Sequence, residues 1–203
     1  MNDSIVTPAY GLFQELGHLG LLLFSDVAEV KRSGRLVPGC PFAVPIDDAE
    51  AIADPNMYPC LSKIASSPRF PWHISNLRAA IRFGERWLYT EPAERTSLRS
   101  NDVYSSSRAI IQQVLVLARK MVLVSPSYAK LAFGLTELEV NDLADATDAG
   151  MVEASAHVRL EFRSLQYRDV IRTYAALMAS SSKDTQGLMG HIARMSGVAV
   201  VRG

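Results

Sequence analysis

The chain has 203 residues, 48% hydrophobic and 21% charged, with a formal net charge of zero. That length can bury a core that needs no disulfide or metal, and the composition is that of an ordinary globular protein. A neutral chain has no global field to draw it onto nucleic acid or an acidic membrane, so such binding must rest on a local patch or on a partner.

Two cysteines, Cys40 and Cys60, are too few for a disulfide scaffold, which points to a reduced setting. The opening MNDSIVTPAYG lacks the basic run and apolar core of a secretory signal. The apolar run from Leu19 to Phe24 is far short of the roughly 20 residues that a membrane span requires. A cytoplasmic protein that does not cross the membrane is expected.

From Tyr10 to about Lys31 the apolar positions Leu12, Leu16, Leu19, Leu23 and Val27 recur at helical spacing, and Gly34 is placed to end the helix. Pro38, Pro41, Pro45, Pro55 and Pro59 then forbid a long helix and predict a loop-rich connection with one helical turn at Asp47 to Ala53. After Pro68 and Pro71, Ser75 is placed to cap a helix through NLRAAIRFGERWLY. Leu77, Ala80, Ile81, Gly84 and Leu88 form its buried side, and Arg78, Arg82 and Arg86 recur every four residues as a basic stripe. The polar TEPAERTSLRSND reads as a linker, dividing a helical, proline-rich region 1–100 from a helical domain 101–180. Residues 181–203 read as a partly ordered tail.

From Asp102 onward comes the longest helical pattern in the chain. Ile110, Val114, Leu117, Met121 and Val124 form one stripe, with Ile111, Leu115, Ala118 and Val122 alongside. Two adjacent stripes suggest a helix covered from two directions. A core plus a dimer seam through Ile110, Val114, Leu117 and Met121 would do that, and so would a central helix of a monomeric bundle. Pro126 opens the next helix. Thr136 and Glu139 have capping-box spacing for another, and a short helix follows near Met151. HVRLEFR, with Val158, Leu160 and Phe162 alternating, reads as a short strand. Ser164 to Met178 reads as a last helix with Leu165, Val170, Ile171, Tyr174 and Leu177 on its apolar side. The fold class expected is all-α, in the sense of mainly α.

Little here points to catalysis. His18, His73, His157 and His191 are scattered without a second ligand at helical spacing, so no metal site or other cofactor is expected. No phosphate-binding glycine loop or nucleophile elbow occurs, and an enzyme is not expected. The helix, turn and helix around Asp148 and Gly150 have a helix-turn-helix pattern. Yet no Lys or Arg lies between Lys130 and Arg159, while Glu137, Glu139, Asp142, Asp145, Asp148 and Glu153 are acidic. Phosphates would be repelled by that surface. Backbone contacts to DNA would therefore fall to Arg78, Arg82, Arg86, Arg159 and Arg163; the bland alternative is that these are solvated helix faces.

The segment 103–178 resembles the FlhD family, the D subunit of the FlhD–FlhC flagellar and conjugative master transcription activator. The resemblance lies in Leu117-Ala118-Arg119, in the turn Ala132 to Leu135, in Leu143-Ala144, in Met151-Val152 and in Phe162-Arg163. The family often carries a cysteine where this chain has Leu160, so an intersubunit disulfide is not expected there. The resemblance implies a transcription regulator subunit, dimeric through its long helix. It further implies assembly with an FlhC-like partner that carries most of the DNA contacts. A helical interaction or scaffold protein without DNA binding is the alternative.

Overall fold

The computed structural model describes residues 6–37, 39–89 and 104–179. It is mainly helical, as expected, around a small three-stranded sheet. The first half of the chain contributes α1 (Val6–Arg32), β1 (Phe42–Ala43), α2 (Ile46–Ala53), a 3-10 turn (Pro55–Met57), α3 (Tyr58–Ala65), β2 (Trp72–Ser75) and α4 (Leu77–Trp87). The second contributes α5 (Ser105–Val124), α6 (Pro126–Phe133), α7 (Glu137–Asp145), α8 (Asp148–Ala154), β3 (Arg159–Phe162) and α9 (Ser164–Ala179). The expected linker 90–102 and tail 181–203 lie outside the described residues.

Helix α1 buries Leu16, Leu19, Leu23 and Val27, with Leu12 half-buried. It ends where Gly34 turns left-handed at φ 69° and donates its N–H to the Lys31 carbonyl at 3.0 Å. The proline-rich stretch after it is more helical than the loop expected. Besides α2, it folds α3, because a proline in the first helical turn gives up only an N–H that has no partner there anyway. The side chain of Asp54 accepts from the Asn56 N–H at 2.9 Å and starts the intervening 3-10 turn.

Ser75 does not cap α4. It sits at the end of β2, where its hydroxyl donates to the Arg159 carbonyl at 3.0 Å, and Asn76 is the capping residue, with φ 60°. Strand β3 is central, parallel to β1 and antiparallel to β2. Trp72 on β2 is fully buried, with its ring centroid 5.5 Å from Phe24 of α1, 6.0 Å from Phe42 of β1 and 5.3 Å from Phe162 of β3. An aromatic of this size, removed from water on all sides, contributes on the order of 2–3 kcal/mol through burial alone.

That cluster already joins both sides of the boundary expected at residue 100. Helix α1 also packs on α5, α4 lies along α8, and one continuous apolar core runs through both halves. The boundary divides the sequence and not the core. In α9 the apolar side is Tyr167, Ile171 and Tyr174; Leu165, expected on it, is 91% exposed. The Tyr167 hydroxyl reaches back to donate to the Arg69 carbonyl at 3.1 Å.

Candidate nucleic-acid and partner interface

The helix-turn-helix pattern is α7 and α8. Thr136 caps α7 and accepts from the Glu139 N–H, while the Glu139 carboxylate accepts from the Thr136 N–H at 2.7 Å, which completes the expected capping box. Thr147 caps α8 and accepts from the Gly150 N–H at 3.0 Å. A capping box there would need a carboxylate at position 150, and glycine has none. Glu85 of α4 supplies it across the helix contact, accepting from the Thr147 N–H at 2.7 Å and from its hydroxyl at 2.9 Å. The cap is completed from another helix.

Helix α4 can reach that far because Gly84 lets the backbones meet. A Cβ on Gly84 would stand 2.9 Å from the Ala154 nitrogen and 3.0 Å from the Gly150 carbonyl carbon, with the Gly150 oxygen closer still. The face of α8 carrying Gly150, Met151 and Ala154 is thereby buried. What α7 and α8 leave exposed includes Glu137, Leu138, Asp145, Asp148, Ala149 and Val152, none of them basic. A helix pinned along one face, with acidic and apolar residues on the other, offers a phosphate no basic side chain.

The five candidate arginines do not form one surface. Arg78, Arg82 and Arg86 line a shallow groove on α4 beside Phe83. Arg78 is engaged by Asp142 of α7, Nε to Oδ2 at 2.6 Å. Arg82 and Arg86 also border a groove that contains Asp142 and Asp145, so an incoming phosphate would meet carboxylates with them. Arg159 is exposed at the start of β3 and lines a separate groove with Glu161 and Val37. Arg163 is half-buried: its guanidinium donates to the Phe133 carbonyl at 2.6 Å and fills the space beside left-handed Gly134. Burial, with Arg69 nearby, pushes its pKa down. Its guanidinium is thus engaged within the fold.

The residues expected at a dimer seam lie mostly in the core of the single chain. Val114, Leu117 and Met121 are buried within the chain itself, covered in part by α1, and Ile110 is half-buried. The second stripe and most of the first are used inside one molecule, and Val124 at the end of the first is exposed. The ion pair Lys120–Glu15 at 3.7 Å joins α1 to α5, and the edge-on contact of Tyr128 with Phe13 at 5.8 Å ties α1 to α6. Exposed apolar side chains do occur near the end of α5 and on α6, at Leu123, Val124, Tyr128 and Leu131.

Of the histidines, His157 packs on the Phe83 ring at 4.0 Å, and burial together with Arg108 lowers its pKa. His73 stands opposite Glu161 in the sheet. Cys40 and Cys60 are buried and free; burial raises the Cys60 thiol to about 11, far from a reactive thiolate. Among the described residues no cluster of His, Cys, Asp or Glu could hold a metal ion, and no helix is long and apolar enough to cross a membrane. The residues that sequence reasoning passed over are Gly84 as a contact point and Glu85 as a cap. A glycine on the buried side of an otherwise regular helix was the available signal for the first. For the second there was none. Comparison with family models, with curated proteins and with solved structures finds no match to this chain.

Proposed function

We propose that the chain is a non-enzymatic subunit of a transcription regulator of the FlhD type, an assembly module that acts through an FlhC-like partner. The observation that carries this reading is the state of α8. The helix that would read DNA in a helix-turn-helix is pinned under α4 by Gly84 and Glu85, and its exposed residues, Asp148, Ala149 and Val152, include no basic side chain, with Asp148 paired to Arg119 of α5. Arg78 and Arg163 are committed to Asp142 and to the Phe133 carbonyl, and the exposed Arg82 and Arg159 are the candidates for backbone contacts that would add to a partner's. Base recognition then belongs to the partner, and this chain supplies shape and docking.

Gel shifts with flagellar or transfer-gene promoter fragments, with and without a co-expressed FlhC-like protein, test this. The expected result is no specific shift by the chain alone and a salt-sensitive shift with the partner. Tight, sequence-specific binding by the chain alone would overturn it. The exposed Leu123, Val124, Tyr128 and Leu131 favour a second reading, an interaction protein with no DNA role. That reading wins if no partner confers binding.

A further inference from the structure

Apart from β1 and the 3-10 turn in the first half and α6 in the second, the two halves of the chain follow one plan: long helix, short helix, short helix, strand, helix. The buried positions follow it too. Leu16, Leu23, Phe24 and Val30 of α1 correspond at constant separation to Ser107, Val114, Leu115 and Met121 of α5, all buried. In the same way Ala49 and Ile52 of α2 match Val140 and Leu143 of α7, and Leu61 and Ile64 of α3 match Met151 and Ala154 of α8.

The antiparallel pairing of β2 with β3 agrees with a two-fold relation between the halves. Trp72 pairs with Phe162, His73 with Glu161 and Ile74 with Leu160. If β2 and β3 are equivalent strands, with Trp72 matching Leu160 and Ile74 matching Phe162, then the first and last of these pairs are the same contact seen from opposite sides. The middle pair matches itself. That is the arrangement at a two-fold axis, where residue i of one unit meets j of the other and j meets i.

Helix packing obeys the same operator. Helix α4 of the first half lies on α8 of the second, and α9 of the second half lies on α2, the 3-10 turn and α3 of the first. The two long helices α1 and α5 pack on each other. Asp26 of α1 is hydrogen-bonded to Ser107 of α5, and the positions that correspond to these two are Leu117 and Leu16.

We infer that this chain is a covalently joined two-fold dimer: two copies of one helical unit, each giving its last helix to the other. The surface with which such a unit would bind a second copy is already occupied, by α1 against α5. The isolated chain is therefore a monomer. Joined to the functional reading above, on which this last step rests, one chain stands where the FlhD resemblance implies two.

Light scattering during size exclusion tests the occupancy. A mass near the chain's 22.3 kDa is expected, and twice that mass at tens of micromolar would overturn the inference. A circular permutant tests the symmetry. The full chain is rearranged to begin at Tyr104 and end at Val103, with Gly203 joined to Met1. Because the halves are related by a two-fold, their order in the chain should not matter. The permutant is expected to be monomeric, with unchanged far-ultraviolet circular dichroism and a Tm within about 5 °C of the original, about 1–2 kcal/mol for a domain this size. A permutant that is unfolded, or that pairs between chains, would overturn it. Neither measurement involves DNA, so failure here is distinct from failure of the gel shifts.

Discussion

Gly84→Ala adds one methyl group at the point where α4 and α8 touch. The new carbon would stand 2.9 Å from the Ala154 nitrogen and 3.0 Å from the Gly150 carbonyl carbon, both backbone atoms that no side-chain rotation can move. Ordinary van der Waals contact lies near 3.5–4.0 Å, so the helices must part by roughly 1 Å. Parting them loosens Leu77, Ala80 and Ile81 on one side and Met151 and Ala154 on the other, all buried at this contact. Overpacking of a tight core typically costs about 1–3 kcal/mol, and a backbone clash belongs at the upper end. Alanine regains about 1 kcal/mol over glycine as a helix former. The net loss expected is about 2 kcal/mol, or a Tm lower by roughly 4–8 °C. Thermal unfolding followed by circular dichroism measures it. Ala79→Gly on the exposed side of the same helix is the control, expected to lose only the helix-propensity difference of about 1 kcal/mol. A Gly84→Ala protein as stable as the original would mean that α4 does not lie on α8 as described.

Glu85→Ala removes the acceptor of both Thr147 bonds and should lower the urea midpoint by the equivalent of about 1 kcal/mol, whereas Glu85→Gln keeps a carbonyl there and should retain more than half of that stability. Asp26 is buried with Oδ2 unpartnered, and burial raises its pKa above the ordinary 3.8, with Glu29 adding to the effect and Ser107 and Arg35 opposing it. A raised folded-state pKa favours the protonated form, so this contribution to stability is complete below the unfolded value and is lost as pH rises through the folded one. Asp26→Asn should therefore gain on the original chain from pH 4 to pH 7, by about 1 kcal/mol at neutrality, and a variant less stable at pH 7 would show that the carboxylate is held by its neighbours instead. Arg163→Met keeps the aliphatic packing but strands the Phe133 carbonyl, and a loss of about 1–3 kcal/mol in denaturant unfolding is expected. Arg82→Ala, at an exposed position, should stay within about 0.5 kcal/mol.

Local chemistry is what could be read from the sequence. The Thr136 capping box, the Gly34 stop, Pro126 at a helix start and the alternating Val158, Leu160 and Phe162 are each written within a few residues, and each is found. What could not be read is set by contacts distant in sequence. Strand β2 is four residues behind a proline, too short for a period, and it exists because β3 offers it a ladder. Helix α3 looked broken by Pro59, whose position in a first turn is visible only once the turn is placed. Arg78 and Asp142 lie far apart in the chain, so a stripe that reads as free charge turns out to be partly spent on α7. Leu165 fits the helical period and still faces solvent, because α9 turns Tyr167, Ile171 and Tyr174 inward.

The doubled stripe on α5 shows the limit most clearly. Periodicity reports that a side chain is covered, but not by what. A second copy, another part of the same chain and a different partner all leave the same spacing behind. Self-similarity between the halves would have named the occupant, but it survives in the pattern of burial rather than in residue identity. Gly20 takes the place of Ile111, Val27 that of Ala118, and Asp26 that of Leu117. Each exchange alters volume or polarity on one side of the α1–α5 contact and can be balanced on the other, since a joined pair needs only complementary faces. Two free copies must instead each be complementary to itself. Joining the copies removes that constraint, and a carboxylate such as Asp26 can then settle where the corresponding position of α5 is leucine.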